Sequence, residues 1–209
     1  MPYNRAGALS YASRFWDRVC HDGRVGSNWK EELRAIKRQQ HKAALFASSP
    51  ALTLLSEVTY PTGQQEDDCT HFISCCIGFS GNAQIPGGGG LQIGQPYGGN
   101  PFGFDNPDGL IFDLVPKNLA VKLGPPAFLT VSDPSTATAI GTQLTAGDLL
   151  AYADSSLAYQ HMAIIVEILS ASTAGAPPSV MIAYHTHPRA VKQLFTVVGW
   201  PNVRLIKIR

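Results

Sequence analysis

The amino-acid sequence predicts an α+β protein in which N-terminal helices pack on an antiparallel sheet. Before residue 80, apolar residues recur three and four positions apart, the spacing of helices with one buried face. After residue 110, apolar runs alternate with turn residues, as in strands joined by hairpins. Helices first and strands afterwards are typical of the α+β class. A chain of 209 residues fits one domain, 1–209, with a Gly/Pro-rich loop insertion at about 80–109.

Composition narrows the classes of function. Hydrophobic residues make up 44% and charged residues 15%, which indicates a globular chain. A net charge of +1 offers no case for nucleic-acid binding. No apolar stretch approaches the roughly 20 residues of a membrane span, and no signal peptide is visible, so the location stays open. Four cysteines without a C-x-x-C pair favour free thiols, and we expect neither a metal nor another cofactor.

Helices are predicted over 4–19, where Asn4 can serve as the cap, and over 29–47. In the first helix the expected apolar stripe consists of Leu9, Ala12, Trp16 and Val19. The glycine run at 87–90 lacks the Gly-Lys-Ser/Thr of a phosphate loop, and we expect the 80–109 loop to lie beside the functional site. Strands are predicted over 110–115, 127–131, 149–153, 161–169, 180–187 and 203–208.

Residues 66–79 hold the most informative stretch. Asp68 is a candidate N-cap, which makes Cys69 the first residue of a helix whose apolar positions continue at Phe72 and Cys75. Backbone N–H groups and the helix dipole favour negative charge there, and hence a thiolate nucleophile. The alternative is that Cys69 is a small buried hydrophobic residue.

Two histidines in the strand region suit the same chemistry. A hairpin centred on residue 173 brings His161 opposite His185, and a slip of two residues brings His187 there instead. Thiol catalysis needs an imidazole that takes the thiol proton and a polar group that orients it. Cys69, His161 and His185 can fill these roles. The alternative is that the three converge on a metal ion.

Five segments, in order, resemble a family of amidase domains. They are residues 3–16, 68–76 (DCTHFISCC, where the family usually shows DCTNFVSQC), 147–149 (GDL), 161–166 (HMAIIV) and 183–186 (AYHT). The family is similar to the NlpC and CHAP amidases and endopeptidases, which are papain-like cysteine enzymes. The sequence departs from the usual motif at His71 and Cys75.

The resemblance implies a papain-like fold, with Cys69 as nucleophile, His161 as general base and His185 as the orienting group. It implies hydrolysis of peptidoglycan peptide or amide bonds outside the cytoplasm, in the periplasm or cell wall. An exported antibacterial effector with a cognate inhibitor protein fits that activity. Acyl transfer by the same residues and a non-catalytic cell-wall or peptide binding module are the alternatives. The Cys69 N–H is the expected oxyanion donor, and further candidates for substrate or oxyanion contacts are Tyr60, Gln64, Gln65, Asp68 and His71.

Overall fold

A computed structural model describes residues 2–16, 20, 69–78, 88–93, 107–124, 127–185 and 192–209. Its helices pack against a seven-stranded antiparallel sheet with the strand order β1-β7-β3-β4-β5-β6, and β2 also pairs with β7. The predicted α+β class is confirmed. The elements are α1 (Arg5–Phe15), α2 (Cys69–Ile77), α3 (Pro107–Leu114), β1 (Ala120–Leu123), β2 (Leu129–Thr130), α4 (Pro134–Gln143), β3 (Leu149–Ala153), β4 (Tyr159–Leu169), β5 (Ser179–Ala183), β6 (Gln193–Leu194), a 3-10 helix (Phe195–Val198) and β7 (Asn202–Ile208).

Helix α1 begins as predicted. The Asn4 side chain accepts a hydrogen bond from the Gly7 N–H at 3.0 Å, which satisfies one of the N–H groups at the start of the helix. Val19 lies outside the described residues, and among the described ones only Ala12 is common to the buried face and the predicted stripe. The buried face consists of Ala8, Tyr11, Ala12 and Phe15.

The sheet separates two hydrophobic clusters, because side chains alternate between the faces along each strand. On the first face, α1, α2 and α3 pack against residues such as Ala151, Met162 and Ile164. On the second face, α4 packs against residues such as Tyr152 and Ala163. Each strand residue can therefore be assigned either to the face that packs against α1, α2 and α3 or to the face that packs against α4, called the α4 face below.

An ion pair between Arg5 and a buried carboxylate holds α1 on the sheet. Arg5 Nη1 lies 2.8 Å from Asp148 Oδ1, and the Asp148 side chain is completely buried. The carboxylate also accepts hydrogen bonds from the backbone N–H groups of Thr145 and Ile208. Nearby, the Tyr3 hydroxyl donates to the Gly147 carbonyl oxygen at 2.6 Å. The start of α1 is thus held on the Gly147-Asp148 turn that precedes β3.

Predicted strands at 149–153 and 203–208 are confirmed, and the one at 161–169 begins two residues earlier, at Tyr159. The strand predicted for 110–115 is wrong, because helix α3 covers most of that segment. A short apolar run does not distinguish a strand from a buried helix, and Pro107 and Asp108 favour a helix start.

Two further predicted strands have different bounds in the structure. The strand predicted for 127–131 is only the two residues of β2, and the one predicted to reach residue 187 ends at Ala183. Strand β1 and helix α4 were not predicted. The helix predicted for 29–47 lies outside the described residues.

Candidate active site

Cys69 is the first residue of α2, as predicted from the acidic residues that precede it. All nine residues of this helix are buried, and Cys69 itself is 6% exposed. Its Sγ atom lies 3.7 Å from Thr70 Oγ1. The first turn of a helix carries N–H groups with no partner inside the helix, so this position can support negative charge on sulfur or on a nearby oxyanion.

His185 packs on the same helix. Its ring stacks on Phe72 with centroids 4.1 Å apart and planes inclined by 18°. Its Nε2 lies 2.6 Å from the Phe15 carbonyl oxygen, and because a carbonyl only accepts, Nε2–H is the donor. The neutral ring then has its lone pair on Nδ1. Helices α1 and α2 together therefore determine both the position and the tautomer of this imidazole.

Phe72 shows on which side of α2 His185 packs relative to Cys69. Residues three apart on a helix are surface neighbours, so Cys69 and Phe72 lie on the same side of α2. The imidazole of His185 packs against that side. The described contacts thus bring the thiol and the His185 ring to the same side of one helix.

His161 lies on the other face of the sheet. It pairs with Tyr152, and directly paired residues of an antiparallel sheet share a face. Its ring is 5.9 Å from that of Tyr152 and meets the Tyr184 ring edge-on at 4.8 Å. Both tyrosines belong to the cluster on the α4 face. Burial raises the pKa of Tyr152, whose neutral hydroxyl donates to the Phe195 carbonyl oxygen at 2.9 Å.

The prediction that His161 lies opposite His185 is wrong. The observed pairing of Ile164 with Ala183 runs one residue out of the predicted register, and β5 ends at Ala183. An irregularity between Ile165 and Glu167 shifts the register along the hairpin. Because the side-chain period of a strand is two, a slip of one residue exchanges the faces.

Most of the other residues predicted to contact the substrate or the oxyanion lie outside the described residues. Tyr60, Gln64, Gln65 and Asp68 lie outside the described residues, as does His187. His71 is described and buried, and its Nε2 lies 3.4 Å from Cys75 Sγ.

The described part of the glycine-rich loop lies at the far end of α2. The Gly89 N–H donates to the Cys76 carbonyl oxygen at 2.7 Å, and Leu91 forms a bridge with Gly78. A Cβ atom at Gly88 would lie 2.4 Å from the carbonyl oxygens of Cys75 and Cys76, so only glycine fits. Residues 88–93 pack where α2 ends, and Gly88 also lines the cleft along α1 described below, so the loop beside the functional site stays a prediction.

A cleft of about 230 Å³ borders α1. Its lining includes Ser10, Arg14 and Phe15, the residue whose carbonyl binds His185. Ser10 and Arg14 are exposed, and the Arg14 guanidinium lies 5.5 Å from the centre of the Phe15 ring. The cleft thus has a cationic group beside an aromatic ring. The predicted catalytic residues did not point to it, because it is formed by the exposed side of α1.

No family of known proteins, no curated protein and no solved structure matches this chain. The resemblance of residues 68–76 to an amidase motif stays a prediction. Among the helices of the described segments, none combines the length and apolar character needed to cross a bilayer.

Proposed function

We propose that the protein is a cysteine-dependent amide hydrolase of papain-like architecture, with Cys69 as its nucleophile. The observation that carries the proposal is that Cys69 begins α2 on the side where His185 stacks on Phe72. The amidase-like motif around Cys69 supports the same role.

The reaction follows the usual course of thiol catalysis. An imidazole accepts the Cys69 proton, and the thiolate attacks the amide carbon to give a tetrahedral oxyanion. The imidazolium returns the proton to the leaving amine, which leaves an acyl-thioester on Cys69. The same imidazole then takes a proton from a water molecule whose oxygen attacks the thioester carbon. The C–S bond breaks, which releases the carboxylic acid, and the imidazolium returns its proton to the Cys69 thiolate. The Cys69 backbone N–H is the oxyanion donor in this scheme.

In this proposal His185 is the general base. Its Nε2–H is engaged by the Phe15 carbonyl, so Nδ1 is the basic nitrogen. That hydrogen bond does what the third member of a triad does, because it holds the ring in one tautomer. The motif resemblance assigned the base to His161, which instead packs with Tyr152 and Tyr184 on the α4 face.

A cell-wall peptide is the proposed substrate. Stem peptides of peptidoglycan carry free carboxylates, and a guanidinium binds a carboxylate through paired, charge-assisted hydrogen bonds. Arg14 in the cleft along α1 can supply this contact. Such a substrate implies action in the periplasm or cell wall, and an exported antibacterial effector with a cognate inhibitor protein is the setting that the resemblance favours.

The test is to incubate purified peptidoglycan sacculi of several wall chemotypes with wild type and Cys69→Ala, and to weigh the released fragments by mass spectrometry. Cys76→Ala is the matched control, because it removes another buried thiol from the same helix. Wild type and Cys76→Ala should release fragments one water heavier per broken amide bond. Cys69→Ala should release none, and fragments from that variant would refute the proposal.

The two histidines are compared in the same assay. His185→Gln should lower the rate by about 10²–10⁴, the usual contribution of a general base. His161→Gln should lower it far less, with folding of both variants checked by circular dichroism. If the larger loss follows His161, the base assignment is wrong although the nucleophile stands.

A non-catalytic cell-wall or peptide binding module is the second candidate, and burial favours it. Cys69 is only 6% exposed and His185 is fully buried. A binding module would sediment with sacculi and release no fragment, and Cys69→Ala would bind as well as wild type. An acyltransferase would need the same residues but would yield products extended by an added amine.

A further inference from the structure

A second group of reactive side chains lies beside α2 and plays no part in the proposed hydrolysis. Cys20, His71 and Cys75 are all buried, and their donor atoms lie within 4.8 Å of one another. His71 Nε2 and Cys75 Sγ lie 3.4 Å apart. Two thiols and an imidazole that converge in this way form a potential ligand set for a metal ion.

We propose that Cys20, His71 and Cys75 bind one zinc ion. Thiolate and imidazole are the ligands that zinc prefers, whereas magnesium and calcium prefer oxygen. A tetrahedral zinc ion with Zn–S of about 2.3 Å and Zn–N of about 2.0 Å separates its donors by about 3.5–3.8 Å. The His71–Cys75 pair has nearly that spacing, and no pair needs to close by more than about 1 Å.

The helix supplies two of the ligands in fixed positions. His71 and Cys75 are four residues apart in α2, so their side chains lie on one side of the helix, one turn apart. Cys20 reaches the same point from the segment that follows α1. Three protein ligands leave one tetrahedral position, which we assign to water or to a fourth group.

His71, one of the two zinc ligands in the helix, projects from α2 in a different direction from Cys69. His71 follows Cys69 by two residues, and side chains two apart on a helix do not face each other. The cysteine side of the helix carries Phe72 and the His185 ring. The zinc proposal therefore does not depend on the proposed hydrolase function.

The ion would act as a structural cross-link between two segments of the chain. It would join Cys20 to α2 and close the long chain segment between residues 20 and 71, which limits the conformations of the unfolded chain. Each protonated thiol gives up its proton when it binds zinc. The spacing of the cysteines in the sequence did not predict the site, because Cys20 is distant from the other two ligands and no C-x-x-C pair is present.

The experiment uses the full chain, reduced and stripped of metal with a chelator. Zinc is titrated against a chromophoric chelator, and cobalt(II) serves as a spectroscopic probe for thiolate ligands. Wild type should bind one zinc per chain, and its cobalt form should show thiolate-to-metal charge transfer. Zinc at about 100 times its dissociation constant should raise the thermal unfolding midpoint by about 5–10 °C.

Cys20→Ser, His71→Asn and Cys75→Ser should each weaken zinc binding by more than the roughly 10–100-fold that loss of an outer-shell partner costs. Each cysteine variant should also lose about half of the charge-transfer intensity, since one of two thiolates is gone. Cys69→Ala is the matched control and should bind zinc as wild type does. The wild-type cobalt spectrum counts thiolates without any substitution, so the test stands even if a variant fails to fold.

The proposal is overturned if reduced wild type takes up no zinc, or if Cys20→Ser and Cys75→Ser bind it unchanged. It is equally overturned if the purified protein carries a Cys20–Cys75 disulfide, seen as the loss of two hydrogens, and takes up no zinc after reduction. Loss of sacculus cleavage in Cys69→Ala with zinc binding intact would show that the two sites are separate.

Discussion

Replacing Asp148 with Asn should destabilise the protein by about 2.5–4 kcal/mol, because this carboxylate is buried among donors that an amide cannot all satisfy. Oδ1 receives Arg5 Nη1 at 2.8 Å and the Ile208 N–H at 3.0 Å. Oδ2 receives the Thr145 N–H at 2.9 Å and the Thr145 hydroxyl at 3.3 Å. These bonds connect the start of α1 to the sheet, and the end of α1 binds His185 through Phe15.

The magnitude follows from two losses. Asn has one acceptor oxygen, so its NH₂ group must face a donor, and a buried N–H left without an acceptor costs about 1–3 kcal/mol. Loss of the charged hydrogen bond to Arg5 costs about 1.5–3 kcal/mol. The Arg5 side chain is 33% exposed, so water compensates part of its charge and the lower half of the summed range applies.

Urea and thermal denaturation measure the effect. For a chain of this size the expected loss lowers the unfolding midpoint by about 5–15 °C, with an unchanged urea m-value. Asp108→Asn is the control: this exposed carboxylate in the first turn of α3 should contribute only about 0.3–1 kcal/mol through the helix dipole.

A double-mutant cycle with Arg5→Ala isolates the ion pair. The sum of the two single losses in the free energy of unfolding should exceed the loss in the double variant by about 1–2 kcal/mol. If the losses are additive within about 0.5 kcal/mol, or if Asp148→Asn costs less than about 1 kcal/mol, the network does not hold α1 as described.

Two further predictions concern the turns on either side of β3. Gly147→Ala should cost about 1–2 kcal/mol for a left-handed backbone at φ 92°, plus the displacement of Arg5, whose Cγ would lie 3.3 Å from the new Cβ. Gly175→Ala, at φ 84° with open space around it, should cost only the free energy of the left-handed backbone. Equal losses in the free energy of unfolding at the two sites would contradict the effect assigned to the Arg5 contact. Hydrogen bonds from the Ser156 side chain, then from Gln160 and from backbone N–H groups, lower the pKa of Asp154 from its usual value, so its stabilising effect is present at higher pH and is lost as pH falls through its folded pKa. Asp154→Asn should therefore destabilise most at neutral pH, and the gap to wild type in urea midpoint should shrink towards about pH 3; a gap independent of pH would contradict this.

The elements predicted correctly from the sequence depend on signals that act over a few residues. Asn4 caps α1, and the first residue of α2 is Cys69. Strands such as 149–153 have β-forming apolar runs that turn residues delimit. The strand predicted for 110–115 was wrong because a run of six residues with five apolar side chains fits a buried helix as well as a strand, and packing on the sheet decided for the helix.

The candidate site was less predictable than the fold. Cys69 could be identified because its chemistry depends on the start of its own helix. The partnership of His161 and His185 depended on a strand register, and one irregularity between Ile165 and Glu167 was enough to change it. The cleft that includes Arg14 could not be found from the pattern, because exposed residues of a helix carry no periodic signal of what they face.

For this protein, the sequence by itself determined the α+β class, the start of α1 and the position of Cys69 at the start of a helix, since caps, turns and periodicity are local properties of the chain. Only the tertiary structure decided which histidine lies beside the cysteine helix and that Cys20 meets His71 and Cys75. These are contacts between distant segments, and they depend on sheet register and helix packing, where a shift of a single residue turns a side chain to the opposite face.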